Sequence, residues 1–161
     1  MNNILYRLII VFGTLLCTPV VAHEGNFQSS LFGEPGKPSQ VDRVVKVDMK
    51  NMRFDPSQIS VKSGETIRFF VTNSDQIDHE FVIGDAASQT EHRKEMAQMA
   101  EMIAMGHVMN HTDLNAVSVR PGETKTLVWK FSRSGKFEID CNIAGHFESG
   151  MTGIVDVVPA E

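Results

Sequence analysis

The stretch Lys136-Phe137-Glu138-Ile139-Asp140-Cys141-Asn142-Ile143-Ala144-Gly145-His146-Phe147-Glu148-Ser149-Gly150-Met151 is the most informative in the chain. It opens with strict alternation: Phe137, Ile139 and Cys141 share one parity, and Glu138, Asp140 and Asn142 share the other. A period of two is the mark of a strand with one buried face, so the thiol of Cys141 is predicted to point inward at the edge of a core. The residues after it form a loop that leads to another β-rich run, Gly153 to Val158.

Working outward, the same alternation recurs in Ile67, Phe69 and Val71, with Arg68 and Thr72 opposite. It recurs again in Leu127, Trp129 and Phe131, with Lys130 and Ser132 opposite. Short β-rich runs bounded by turn residues cover Val44–Met49, Gln58–Lys62, Thr66–Thr72, Glu80–Ile83, Ala116–Val119, Thr124–Phe131, Lys136–Cys141 and Gly153–Val158. Eight such strands predict an all-β sandwich. The segment from Ser60 to Thr66, SVKSGET, is echoed by Ser118 to Thr124, SVRPGET, each followed by an apolar strand. Glycine after Ser or Pro suits a tight turn, so the two copies are expected to be equivalent hairpins.

One segment breaks the pattern. Ser88 to Asn110 lacks Pro and is dominated by good helix formers, which predicts a helical insertion over about 88–110. Ser88 or Thr90 is the expected cap and Gly106 the expected end. The insertion carries Met96, Met99, Met102, Met105 and Met109, with His92, His107 and His111 nearby. Steps of three drift by roughly 60° each on a helix, so these methionines cannot all face one core. They read either as adaptable packing or as exposed soft donors forming a secondary, weak Cu(I) site.

The N-terminus divides into two further parts. Arg7 precedes the apolar run Leu8 to Cys17 and then Val20-Val21-Ala22, which reads as a secretory signal peptide over residues 1–22 and places the mature chain in the periplasm. The run is too short to span a bilayer, so no membrane association is expected after cleavage. Residues 23–40 are rich in Gly, Pro and Ser and are expected to form a flexible leader without regular structure, ahead of a domain over 41–161.

Composition narrows the function. The chain has 15 Lys+Arg against 20 Asp+Glu, and loss of Arg7 with residues 1–22 leaves 139 residues at −6. No basic run is present, so nucleic acid is not an expected partner. Of two cysteines the mature chain keeps Cys141 alone, which excludes an internal disulfide. An exported lone thiol is a buried inert Cys, an intermolecular bridge or a metal-held thiolate.

Cys141, His146 and Met151 place a thiolate, an imidazole and a thioether at intervals of five residues. Soft sulfur donors with imidazole suit copper, and two His with one Cys plus a distant Met is the electron-transfer arrangement. That requires a second imidazole. His79, at the start of a strand far away in sequence, is the best candidate, because His92 lies in the helix and His107 and His111 flank its end.

With the opening Phe54-x-Pro56-x-x-Ile59-x-Val61-x-x-Gly64 and the closing strand Gly153 to Val158, these residues make the chain resemble the cupredoxin family over roughly 41–159. The resemblance implies a Greek-key β-sandwich holding one type 1 copper, with His79, Cys141 and His146 as equatorial ligands and Met151 as the axial one. Within the family, Phe32-Gly33-Glu34-Pro35-Gly36, His79-Glu80-Phe81 and Gly145-His146-Phe147-Glu148 are similar to periplasmic copper-tolerance cupredoxins of the CopI type. Many simpler blue carriers have Asn where this chain has Glu80, which leaves the hydrogen bonding of the ligand loop unassigned.

The function implied is copper tolerance, by binding or oxidising Cu(I) and exchanging electrons with a redox partner protein. A dedicated electron carrier with no tolerance role is the alternative. The chain lacks paired His-x-His motifs for a trinuclear cluster, so it is not expected to be an enzyme.

Overall fold

Strand alternation becomes a two-sheet sandwich because each sheet has one apolar face to bury. The computed structural model describes residues 32–107 and 113–160. In chain order the elements are β1 (Glu34–Pro35), β2 (Arg43–Met49), β3 (Phe54–Asp55), β4 (Gln58–Lys62), β5 (Thr66–Asn73), β6 (His79–Gly84), α1 (Ala86–Ala104), β7 (Ala116–Val119), β8 (Thr124–Lys130), β9 (Gly135–Asp140) and β10 (Thr152–Val158). One sheet has the order β1-β8-β5-β2-β3 and the other β4-β10-β9-β6-β7. Pairing is antiparallel except for β2 with β5 and β4 with β10.

The residues expected inside are inside. Ile67, Phe69, Val71, Trp129, Phe131, Ile139 and Cys141 are fully buried. Phe69 of the first sheet meets Phe81 of the second with ring centroids 5.3 Å apart, and Phe54 meets Phe81 edge-on at 5.8 Å. Burying each such side chain contributes about 1.5–3 kcal/mol, which fixes the register, since a one-residue slip would turn every one of them to water.

Four expectations need correction. The leader is not structureless over its described part: Phe32 is buried against Trp129 and Phe137, β1 pairs with β8, and Pro38–Gln40 form a 3-10 turn. The cause is one aromatic anchor in a segment otherwise of turn composition. The repeated SVxxGET segments are not hairpins within a sheet. Each carries the chain from the second sheet to the first, β4 to β5 and β7 to β8. Their chemistry is nonetheless equivalent: the Glu65 carboxylate accepts from the Lys62 amide at 2.9 Å and that of Glu123 from the Arg120 amide at 3.3 Å. Gly64 and Gly122 take φ of +89° and +75°, the left-handed conformation that glycine adopts without cost.

The helix also starts earlier and ends sooner than expected. Asp85 caps it, its Oδ1 accepting from the Ser88 amide at 2.8 Å, and the chain turns out after Ala104 through Gly106 at φ +90°. It joins β6 to β7, neighbours in one sheet. Finally, Asp140 and Asn142, expected on the wet face, are buried because α1 covers that face of β6 and β9. No described helix is long and apolar enough to cross a membrane. The signal peptide, Met109 and His111 lie outside the described residues.

Candidate metal centre

Strand β6 begins with His79 and strand β9 ends just before Cys141, and the two strands are hydrogen-bonded neighbours in the second sheet. The sheet therefore brings together an imidazole and a thiol 62 residues apart. His146 arrives from the loop that follows. Nδ1 of His146 lies 3.2 Å from Cys141 Sγ and 3.2 Å from His79 Nδ1, and Cys141 Sγ lies 4.0 Å from His79 Nδ1. All three donor atoms fall within 4.8 Å of one another, the only such cluster of His, Cys, Asp and Glu donors among the described residues. His79 and Cys141 are fully buried and His146 is half-buried.

The loop is shaped by backbone bonds. The Cys141 amide donates to the Met151 carbonyl at 3.2 Å, and the Met151 amide donates to the His146 carbonyl at 3.1 Å. Met151 is completely buried at the base of this closed turn. Arg53 donates to the Gly150 carbonyl at 2.8 Å, tying the loop to the β2–β3 connection. The donor set suits a soft metal: one thiolate, two imidazole nitrogens and a thioether in the closing turn, held by strands rather than by the ion.

Without an ion, burial keeps both the Cys141 thiol and the His146 ring uncharged near neutral pH. Burial pushes the Cys141 thiol up to about 12, although the Glu80 amide, 3.4 Å from the sulfur, and the Ile143 amide favour the thiolate. Burial, then the neighbouring His79, holds His146 below its ordinary value, so its ring is neutral near pH 7. Asp75 faces the other side of His79, its Oδ2 3.0 Å from His79 Nε2. Partial burial opposes its charge, but the amide of Asn51, the ring of His79 and the amide of Met52 together hold its carboxyl below the usual range.

Behind Cys141 lies a polar layer supplied by α1. Glu80 is buried, and its carboxylate accepts from the Asn142 amide at 2.9 Å while pairing with His92 Nε2 at 3.2 Å. This supplies the loop contact left unassigned by the presence of Glu at this position. Gln89 accepts from the Asn142 side chain at 2.8 Å and donates to the Val82 carbonyl at 2.9 Å. Arg93 donates to Asp140 at 2.7 Å and to Asn142 at 3.2 Å, and its guanidinium lies 3.7 Å from the centre of the Phe147 ring. Phe147 is thus a platform for Arg93 as well as a loop residue.

The residues expected to form a secondary copper site are not gathered in the same way. Both nitrogens of His92 face carboxylates, Glu80 and Asp113, the latter 3.1 Å away, which holds the ring protonated up to about pH 9 against the opposing effect of burial. A metal would have to displace that proton and compete with both carboxylates, and in this structure His92 serves the polar layer by pairing with Glu80 and Asp113. Met96, Met99 and Met102 are half-buried, and Met105 and His107 are exposed. Sequence reasoning missed Asp75, Gln89 and Arg93. An acid four residues before a candidate ligand was a usable signal for Asp75, whereas nothing local marks a helix residue whose partner lies 47 positions on.

Comparisons with known proteins agree with this geometry. The family model described as copper binding proteins, plastocyanin/azurin family, matches residues 41–158. The chain is 36% identical to the protein named "Copper-resistant cuproprotein CopI" of Pseudomonas aeruginosa, covering 94% of both chains. It is 38% identical to that of Rubrivivax gelatinosus, covering 97% of this chain and 98% of the relative. Among solved structures it is similar to auracyanin B, with a TM-score of 0.62 and 18% identity over 79% of this chain and 96% of the other, a likeness of fold. With a family match running from β2 to β10 and full-length relatives of this similarity, the chain belongs to the plastocyanin/azurin family of copper-binding proteins, the cupredoxins.

Proposed function

We propose that this chain is an exported, periplasmic cuproprotein of copper resistance in which His79, Cys141, His146 and Met151 would hold one copper ion. The observation that carries the reading is the convergence of three buried or half-buried donors, one of them a lone thiol, within 4.8 Å. The full-length relatives named as copper-resistant cuproproteins support the resistance role. Bound copper would supply a one-electron couple between Cu(I) and Cu(II). The protein's part is to keep the donors in place in both states: β6 and β9 fix His79 and Cys141, and the closed Cys141–Met151 turn fixes His146. Little reorganisation then opposes electron exchange. His146, the only one of these ligands that reaches solvent, is the electron exit toward a redox partner. In the tolerance role bound copper would supply the one-electron oxidation of incoming Cu(I), and the half-buried His146 would be the point of contact for the acceptor protein that takes the electron.

Titration of the mature protein with Cu(II), followed by visible absorption and electron paramagnetic resonance, tests the site. A strong sulfur-to-copper band at one equivalent is expected, absent in Cys141→Ser. A band that survives Cys141→Ser, or no band in the wild type, overturns it. Copper sensitivity of a strain lacking the protein, rescued by the wild type and not by Cys141→Ser, tests the resistance role. Rescue by Cys141→Ser would overturn it.

A further inference from the structure

Asp75 stands in the loop between β5 and β6, and the chain fixes its carboxylate from several directions. The Asn51 amide donates to Oδ1 at 2.8 Å and the Met52 amide to Oδ2 at 3.2 Å. Asn51 and Met52 have φ of +54° and +58°, so two consecutive non-glycine residues adopt the left-handed conformation. Such a pair is unfavourable on its own and turns successive amides toward one anion. The Asp75 amide in turn donates to Asn73 Oδ1 at 2.9 Å, and the fully buried Asn73 donates from Nδ2 to the Ile77 and Val119 carbonyls, both at 2.8 Å. All of this ordering serves a carboxylate whose remaining contact is His79 Nε2 at 3.0 Å.

A carboxylate only accepts hydrogen bonds, so Nε2 of His79 carries a proton, and in the neutral ring the lone pair is then on Nδ1. Nδ1 is the atom directed at Cys141 and His146. We propose that Asp75 is a positioning residue for the metal centre: it locks His79 in the tautomer that binds through Nδ1, strengthens that nitrogen as a donor, and biases the site toward Cu(II). The inference rests on the copper reading above. Its physical basis is that a carboxylate behind a ligating imidazole raises ligand basicity, and the added negative charge stabilises the dication more than the monocation. Apart from His79, none of the groups that hold Asp75 is one of the proposed ligands, so its role acts through His79.

The test compares wild type with Asp75→Asn as full mature chains loaded with one copper. Cu(II) affinity is expected to fall about 10–100-fold, with Cu(I) affinity less affected. Each tenfold loss in the Cu(II)-to-Cu(I) affinity ratio raises the midpoint potential by about 59 mV. The sulfur-to-copper band is retained. An unchanged potential and unchanged affinity ratio in a folded, copper-loaded Asp75→Asn overturn the proposal, whatever the loss in thermal stability. Should that variant not fold, nitrogen-15 correlation spectra of the wild-type apoprotein decide: the Nε2–H form of His79 is expected, and a dominant Nδ1–H form overturns it. Absence of the sulfur-to-copper band in the wild type would instead sink the copper reading and leave the tautomer result standing.

Discussion

The carboxylate of Glu80 accepts a hydrogen bond from the backbone amide of Asn142 at 2.9 Å, which ties the residue after one proposed ligand to the residue after another. The same carboxylate neutralises His92, so a single buried side chain links β6, α1 and the start of the ligand loop.

Removing it should be expensive. Glu80→Ala leaves the His92 cation with Asp113 and the partly exposed Glu95 as its remaining acidic neighbours, and leaves the Asn142 amide without its acceptor. Losing one partner of a buried pair costs about 3–5 kcal/mol. Urea unfolding should show that loss, whereas Glu80→Gln, which keeps an acceptor for the amide, should lose less.

His92 makes stability depend on pH in a stated direction. Its folded value of about 9 lies above the ordinary 6.5, so the protonated ring is favoured in the folded state. The stabilisation is fully present below about pH 6.5 and disappears as pH rises through about 9, amounting to roughly 3 kcal/mol across that window. The charged groups facing the ring are Glu80 of β6, Asp113 ahead of β7 and Glu95 of its own helix. The melting temperature of wild type should fall between these pH values, and that of His92→Gln should be flatter.

Metal uptake should release a proton. With the Cys141 thiol at about 12 in the free protein and His146 already neutral, each bound ion displaces one proton, from sulfur. Copper affinity should therefore rise about tenfold per pH unit near neutrality. Titration in unbuffered solution should count one proton per copper, and Cys141→Ser should count none.

Gly33 is a position where the N-terminal strap has no room for a side chain. A Cβ there would overlap the Lys130 carbonyl oxygen and Trp129 Nε1. Gly33→Ala should cost about 1–3 kcal/mol by overpacking, and Phe32→Ala about 3–5 kcal/mol by emptying an aromatic contact. Thermal unfolding measures both.

The strands and three of the four proposed ligands were legible because they rest on local signals: alternation at Ile67–Val71 and Phe137–Cys141, and the five-residue spacing of Cys141, His146 and Met151. His79 followed from the chemistry of the set. The polar layer was not legible. Asp140 and Asn142 sit at positions that alternation assigns to water, and the arrival of Gln89 and Arg93 from α1, together with the Thr152 hydroxyl on Asp140, makes burying them tolerable. The same holds for residues 34–40, where the turn-rich composition was visible but the contact of Phe32 with Trp129 was not.

That strap has a bearing on self-association. Backbone groups at the far edge of β8 are met by Glu34 and Pro35, and the Gly36 amide donates to the Val128 carbonyl at 2.9 Å. A chain trimmed to begin after Gly36 would present Val128 to Lys130 as an open ladder bordered by apolar surface, the template on which a second molecule can add a strand. This short N-terminal piece thus serves as a guard against edge-to-edge aggregation.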